Sequence, residues 1–344
     1  MAPRHKNKTL DIGGESIAPG QRARLAIPLS THYTNTPLEV PLRVINGRQP
    51  GPTLFISAAV HGDELNGIEI IRRLMATPAL KRMKGALIAA PMLNVLGVMH
   101  KSRYLPDRRD LNRSFPGSAE GSMASRLANL FTENVLAHAQ YGIDLHTAAI
   151  HRDNFPQIRA DLDDEETTDL ARAFGAPVML NAGTPEGSLR GAAVANGVKV
   201  MVYEAGEALR YDETAIRVGV NGILGVMRKL GMLPPSRSKK KRPEPMIARS
   251  SSWVRANGSG MLRPLAALGT AVKRGQLIGR IAGPFHEEEI DIKAPFGGII
   301  IGRTNIPLIH EGEAMFHIAR FEKPGELDER LENLKSTFAD DDPL

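Results

Sequence analysis

Apolar runs recur along the chain at spacings that name their elements. TLFISAAV at 53–60 is apolar, rich in β-branched residues and closed by Gly62, which predicts a strand buried in a parallel sheet. Ile68, Ile70, Ile71 and Leu74 then fall at roughly helical spacing before Pro78, so a helix follows at once, with Asp63 as its expected cap and Glu64 in its first turn. GALIAAPM at 85–92, GIDLHT at 142–147, the short run at 177–180 and VKVMVY at 198–203 read as further strands. Between them, helices are expected over 122–138, 162–174, 188–196 and 212–230. Residues 22–28 and 38–46 alternate as antiparallel edge strands, whereas 94–116 shows little periodicity. The pattern predicts an α/β unit over 1–235 with a mixed, mostly parallel central sheet flanked by helices.

Beyond it the pattern changes. Residues 236–246 are basic and Pro-rich, the composition of an interdomain linker. From 247 to 321 short apolar alternations are separated by glycines, as in SSWVRANGSGML and EIDIKAPFGGIIIG, which predicts a smaller all-β domain. An acidic tail, 322–344, completes the division.

Composition narrows the classes. With 42% hydrophobic and 24% charged residues the chain is an ordinary globular one, and 344 residues are enough for two domains. It has no cysteine, so any metal must be held by His and carboxylate. The basic N-terminus leads into no apolar stretch of signal length and no run approaches a membrane span, so a soluble cytoplasmic protein is expected, with no membrane partner. The net charge of +6 is densest at 237–242, a run flanked by prolines without interleaved aromatics; a solvated linker is expected there and no nucleic-acid partner.

The chemistry gathers at strand ends. His61 and Glu64 lie across a strand-to-helix turn, where open α/β sheets collect ligands. A catalytic zinc site takes three protein ligands and leaves a position for water, so another His is required, and His146 at the end of another strand supplies it. Asp144, two residues earlier on the same strand face, can orient a ligand from behind. Glu204 closes the strand at 198–203 and, beside a metal, can act as general base and acid; Glu207 lies further from the strand end. Asn112 and Arg113, braced by Leu111 and Phe115, can clamp a carboxylate, while Arg108 reads as a solubilising residue. His151 is expected in a loop at the pocket or exposed.

HGDELNG at 61–67, DLNRSFPG at 110–117, IDLHT at 143–147 and YEAGE at 203–207 occur in an order and spacing that resembles the succinylglutamate desuccinylase/aspartoacylase family, which is related to zinc carboxypeptidases. The resemblance implies His61, Glu64 and His146 as ligands of one Zn²⁺ and Glu204 as the general acid/base. It implies Asn112 and Arg113 as the substrate-carboxylate pair, and Arg103 as the arginine that polarises the scissile carbonyl, with Arg109 as the fallback. Arg190 is implied at the acyl or amino-acid portion. The C-terminal region resembles a barrel-sandwich hybrid in scaffold only: Lys293 reads as an ordinary strand residue, so no cofactor carrier is expected. His286, His310 and His317 match no familiar metal-site spacing. In relatives such a domain packs beside the active site and restricts entry, which makes a substrate gate or an oligomer contact its expected role here, and a homo-oligomer is expected because relatives often form them.

The activity so implied is a zinc-dependent amidohydrolase acting on a small N-acylated amino acid. A metallocarboxypeptidase on short peptides would use the same residues, and a non-catalytic scaffold would retain the fold.

Overall fold

The computed structural model describes residues 7–236, 244–285 and 289–321. The 237–242 basic run, His286 and the 322–344 tail lie outside the described residues.

A small hairpin, β1 (Leu10–Ile12) and β2 (Glu15–Ile17), precedes the main sheet. The sheet then receives β3 (Arg22–Thr31), β4 (Pro37–Asn46), β5 (Thr53–Ala58) and β6 (Ala86–Ala90), followed by β7 (Tyr141–Ala148), β8 (Arg152–Ala160), β9 (Val178–Asn181) and β10 (Lys199–Glu207). Six helices accompany these strands: α1 (Asn66–Ala76), α2 (Val95–His100), α3 (Met123–Asn134), α4 (Glu165–Phe174), α5 (Leu189–Ala195) and α6 (Glu213–Lys229). The middle of the sheet runs β10-β7-β5-β6, all parallel, and antiparallel strands β4 and β3 extend it on one side.

The two-residue period of the strands divides the core. Leu54, Ile56, Leu87, Ile143, Leu145, Met201 and Tyr203 face α1, α4 and α6, where Ile70, Leu74, Phe174, Ile216 and Ile223 complete one cluster. Phe55, Ile88 and Val200 face the other way, onto Leu96, Leu127, Phe131, Leu189 and Ala193 of α2, α3 and α5. On β7 and β10 the positions alternating with the first cluster are Asp144, His146, Val202 and Glu204, so the chemistry-bearing side chains sit on the second face.

Local departures from the expected pattern concern the turn at His61. Helix α1 begins at Asn66, its N-cap position is Leu65, and no side chain caps it, so Asp63 is not the cap and Glu64 lies before the helix. Residues 61–64 instead form a turn closed by a hydrogen bond from the Glu64 N–H to the His61 carbonyl at 3.2 Å. Two positions make this turn possible. Ala59 holds a left-handed φ of 52°, and a Cβ on Gly62 would lie 1.9 Å from the Gly97 carbonyl carbon, so the turn lies directly against α2.

The C-terminal strands are β11 (Met246–Ala248), β12 (Ser250–Arg255), β13 (Gly260–Pro264), β14 (Ala271–Val272) and β15 (Leu277–Ala282). They end with β16 (Glu289–Lys293), β17 (Gly298–Thr304), β18 (Leu308–Ile309) and β19 (Ala314–Arg320). Four of them, in order β16-β15-β13-β18, form a separate antiparallel sheet, and Lys293 is the last residue of β16. The others continue the main sheet, since β8 pairs antiparallel with β17, β17 with β19 and β19 with β12. Strand β11, which begins inside the segment expected as linker, pairs parallel with β9. Val178 and Leu180 share a buried cluster with Met246, Ile299, Ile301 and Ala319. Among the described residues no helix is long and apolar enough to cross a membrane.

Candidate active site

His61, Glu64 and His146 converge behind the carboxyl ends of β5 and β7, all buried, and among the described residues they form the one group arranged to hold a metal ion. Glu64 is the centre of the group. His61 Nδ1 lies 2.7 Å from its Oε1 and His146 Nδ1 lies 2.8 Å from its Oε2, while the Thr147 N–H donates to Oε2 at 3.0 Å. Each imidazole turns its other nitrogen to a second carboxylate, His61 Nε2 to Asp110 Oδ1 at 3.1 Å and His146 Nε2 to Asp144 Oδ2 at 2.8 Å. Asp144 is itself held by the Ser57 hydroxyl, which donates at 2.7 Å.

This arrangement answers whether the residues fit a metal. With each Nε2–H given to a carboxylate, the Nδ1 lone pairs face carboxylate lone pairs, which a proton on each imidazole or a shared cation relieves. The charges report the same tension. Burial would lift the Glu64 carboxyl, but the two imidazoles hold it far below the usual carboxylate range. Burial would depress both imidazoles, yet Glu64 and Asp110 raise His61, and Asp144 and Glu64 raise His146 well above its ordinary value. A divalent cation bound by two imidazoles and one carboxylate satisfies that field, and the donor set suits zinc.

The surrounding cavity, about 280 Å³, is lined by the eight residues expected as metal ligands, catalytic groups or substrate contacts, His61, Glu64, Arg103, Asn112, Arg113, His146, Arg190 and Glu204, and by Asp144. Arg103 comes from the loop after α2, with Nη2 donating to Asp110 Oδ2 at 3.0 Å and Nη1 standing 3.6 Å from Glu64 Oε1. Arg109, by contrast, is exposed and pairs with Asp107, away from the cavity. Asn112 and Arg113 lie in a single turn of 3₁₀ helix, Leu111–Arg113, that Asp110 caps. The Asn112 Oδ1 accepts the Leu189 N–H at 2.9 Å, which docks the turn on α5 and leaves the amide N–H donors free to bind ligand. Arg190 is buried in α5, and its Nη2 donates to the Gly183 carbonyl while Nη1 finds no protein acceptor. Burial and the neighbouring Arg159 both lower the Arg190 pKa.

Glu204 does not end its strand: β10 runs on to Glu207 across a register shift that begins after Glu204. Its Oε2 accepts from Asn154 Nδ2 at 2.8 Å, and its Oε1 lies 3.7 Å from Arg159 Nη1. Glu207 is turned outward, accepting from the His151 N–H and from Asn305 Nδ2. His151 is exposed and does not line the cavity. His310 is exposed, and His317 lies in the seam of β12 and β19, bonded to Ser251 Oγ at 2.8 Å and stacked on Trp253 at 4.6 Å. Burial, then Arg159, push the His317 imidazole down to about 3.

Several site residues escaped the sequence reading. Asp110 opens the DLNRSFPG motif, and its place in the motif was the available signal. Arg152, Asn154 and Arg159 lie on β8, a strand the hydrophobic pattern did not reveal, and Trp253 reaches the cavity from β12.

Known proteins resemble the chain in sequence and in fold. Residues 50–230 match the succinylglutamate desuccinylase/aspartoacylase catalytic domain, and the chain belongs to that family. It is 25% identical over 324 residues to the N-alpha-acetyl-L-2,4-diaminobutyric acid deacetylase of Halomonas elongata, covering 90% of this chain and 94% of that protein. It is 34% identical over 118 residues to the succinylglutamate desuccinylase of Pseudomonas aeruginosa, covering 30% of this chain and 33% of that enzyme. Among solved structures, a succinylglutamate desuccinylase/aspartoacylase from Rhodobacter sphaeroides superposes with a TM-score of 0.78 at 25% identity, covering 88% of this chain and 96% of that one. The ectoine utilization protein EutE (DoeB) of Ruegeria pomeroyi, in a product-bound form, shares the fold with a TM-score of 0.77 at 24% identity, over 87% of this chain and 94% of that one.

Proposed function

We propose that the protein is a zinc-dependent amidohydrolase that removes the acyl group from a small N-acylated amino acid. The observation that carries this reading is that one cavity joins the buried His61–Glu64–His146 group to Glu204, Arg103 and the Asn112–Arg113 turn. Zinc held by His61, Glu64 and His146 would supply Lewis acidity and a water ionised near pH ~7. The remaining groups have distinct tasks. Arg113 and the Asn112 amide bind the substrate carboxylate and fix its orientation. Arg103, steadied by Asp110, faces the negative charge that develops on the carbonyl oxygen. Glu204 takes a proton from the attacking water and returns it to the departing amine.

Charge and size support a small anionic substrate. Arg103, Arg113, Arg152, Arg159 and Arg190 line the cavity against Glu64, Asp144 and Glu204, and a volume of about 280 Å³ is at the lower end for ligand pockets. The relatives named above are a deacetylase and a desuccinylase, both acting on small acylated amino acids. The test is hydrolysis of a panel of N-acylamino acids and free-carboxylate dipeptides by zinc-loaded protein. Release of an amino acid from at least one acylated substrate is expected, abolished by chelation and lowered ~10²–10⁴-fold by Glu204→Gln while the variant keeps its zinc. Cleavage confined to the dipeptides would make the protein a carboxypeptidase instead.

A further inference from the structure

We propose that Asn154 is the residue that positions Glu204 for proton transfer, and that the C-terminal β strands act on the chemistry through it. The inference rests on the reading of Glu204 as the proton carrier.

A carboxylate on a strand can rotate about its terminal bonds, and a general base that rotates spends only part of its time aimed at the reacting atoms. Asn154 Nδ2 removes that freedom by donating to Glu204 Oε2 at 2.8 Å. Oε2 is thereby committed, and Oε1 is the oxygen left to exchange protons. Arg159 Nη1, at 3.7 Å from Oε1, is beyond hydrogen-bond reach and does not compete for it. The restraint matters because the backbone here is irregular. β10 shifts register against β7 between Glu204 and Glu207 and against β8 between Glu204 and Gly206, so the regular ladder does not fix the aim of the side chain.

Asn154 is in turn held from the far side. It is buried and is the one residue of β8 that pairs with Gly206 of β10 and also with Gly302 of β17, which makes it the joint between the parallel core of the sheet and its C-terminal extension. Gly302 is required by close approach: a Cβ there would sit 2.9 Å from Asn154 Oδ1 and 3.2 Å from His317 Cβ. The glycine leaves the space in which the Asn154 amide lies, and a methyl group would push that amide toward Glu204.

Three substitutions test this, Asn154→Ala, the isosteric Asn154→Asp and Gly302→Ala, each made alone and combined with Glu204→Gln. With a substrate identified as above, Asn154→Ala and Asn154→Asp are expected to lower kcat by ~10–100-fold, the range for a residue that orients a reacting group, with KM within about twofold and zinc content unchanged. Gly302→Ala should act in the same direction but less. In the Glu204→Gln background all three should add less than about twofold, because the group they position is gone. A general structural role would give equal losses in both backgrounds, and that additivity would overturn the proposal, as would a wild-type kcat in Asn154→Asp or loss of zinc in either Asn154 variant. If Asn154→Ala does not fold, Asn154→Asp and Gly302→Ala decide. A wild-type protein that releases nothing from any acylated substrate would defeat the amidohydrolase reading and this inference with it; active wild type with indifferent variants would defeat this inference alone.

Discussion

Asp110 accepts from the His61 imidazole through Oδ1 and from Arg103 through Oδ2, so one carboxylate orients the proposed metal ligand and the arginine proposed for the oxyanion. Burial works against its charge, but His61 and Arg103 outweigh it and hold the carboxyl below its usual range. Removing it should therefore injure two functions at once. Asp110→Ala is expected to weaken zinc by ~10–100-fold, measured by competition with a chelator of known affinity. At saturating zinc a kcat defect should persist, because Arg103 has lost its anchor. If saturating zinc restored full activity, Arg103 would not depend on Asp110. His61, Glu64, His146 and Glu204 were legible because each follows an apolar run that ends abruptly in a ligating or titratable residue. Asp110 and Asn154 follow no such run, and their partners are 49 and 50 residues away in sequence, a distance that only folding removes.

Among the elements, the turn between β5 and α1 is the most constrained. Its approach to α2 leaves no room for a side chain at Gly62, so Gly62→Ala must displace either the turn or α2. An expected loss of about 1–3 kcal/mol in stability follows from overpacking of this kind, read as a lower Tm. The same displacement moves His61, and zinc affinity should fall with it; an unchanged Tm and unchanged zinc binding would show that the turn yields freely. Strands β5, β6 and β7 were visible as apolar runs because they are buried on both faces, and β10 because Val200, Met201 and Tyr203 are buried. Strand β8 was not, for two physical reasons. Arg152, Asn154 and Arg159 line a polar cavity, so the strand lacks an apolar run. Pro156 also argues against a central strand, yet it is accommodated where the β8–β10 ladder is interrupted, between Asn154 and Gln157. Helix α2 was missed because at six residues it is too short to show a period.

The change in composition at residue 236 predicts two domains joined by a linker, whereas the β8–β17 and β9–β11 pairings carry hydrogen bonding from one region into the other. Composition registers where a chain is polar and proline-rich, and it carries no information about which distant strands pair. Shared ladders, together with the cluster of Val178, Leu180, Ile299 and Ile301, should couple the two regions in unfolding. The chain offers separate probes for each. Trp253 is its single tryptophan and lies on β12, so fluorescence reports the C-terminal strands, while all six described α-helices lie between Asn66 and Lys229 and dominate the far-UV circular dichroism. In a denaturant titration the two signals are expected to share one midpoint and one slope, and zinc that binds only the native state should raise both together. A fluorescence transition that preceded the helical one and ignored zinc would mean that the C-terminal strands open independently of the site. In that event a glycine at 302 could not matter to Glu204, so coincident midpoints are also a condition for Asn154 to transmit anything from β17 to the cavity.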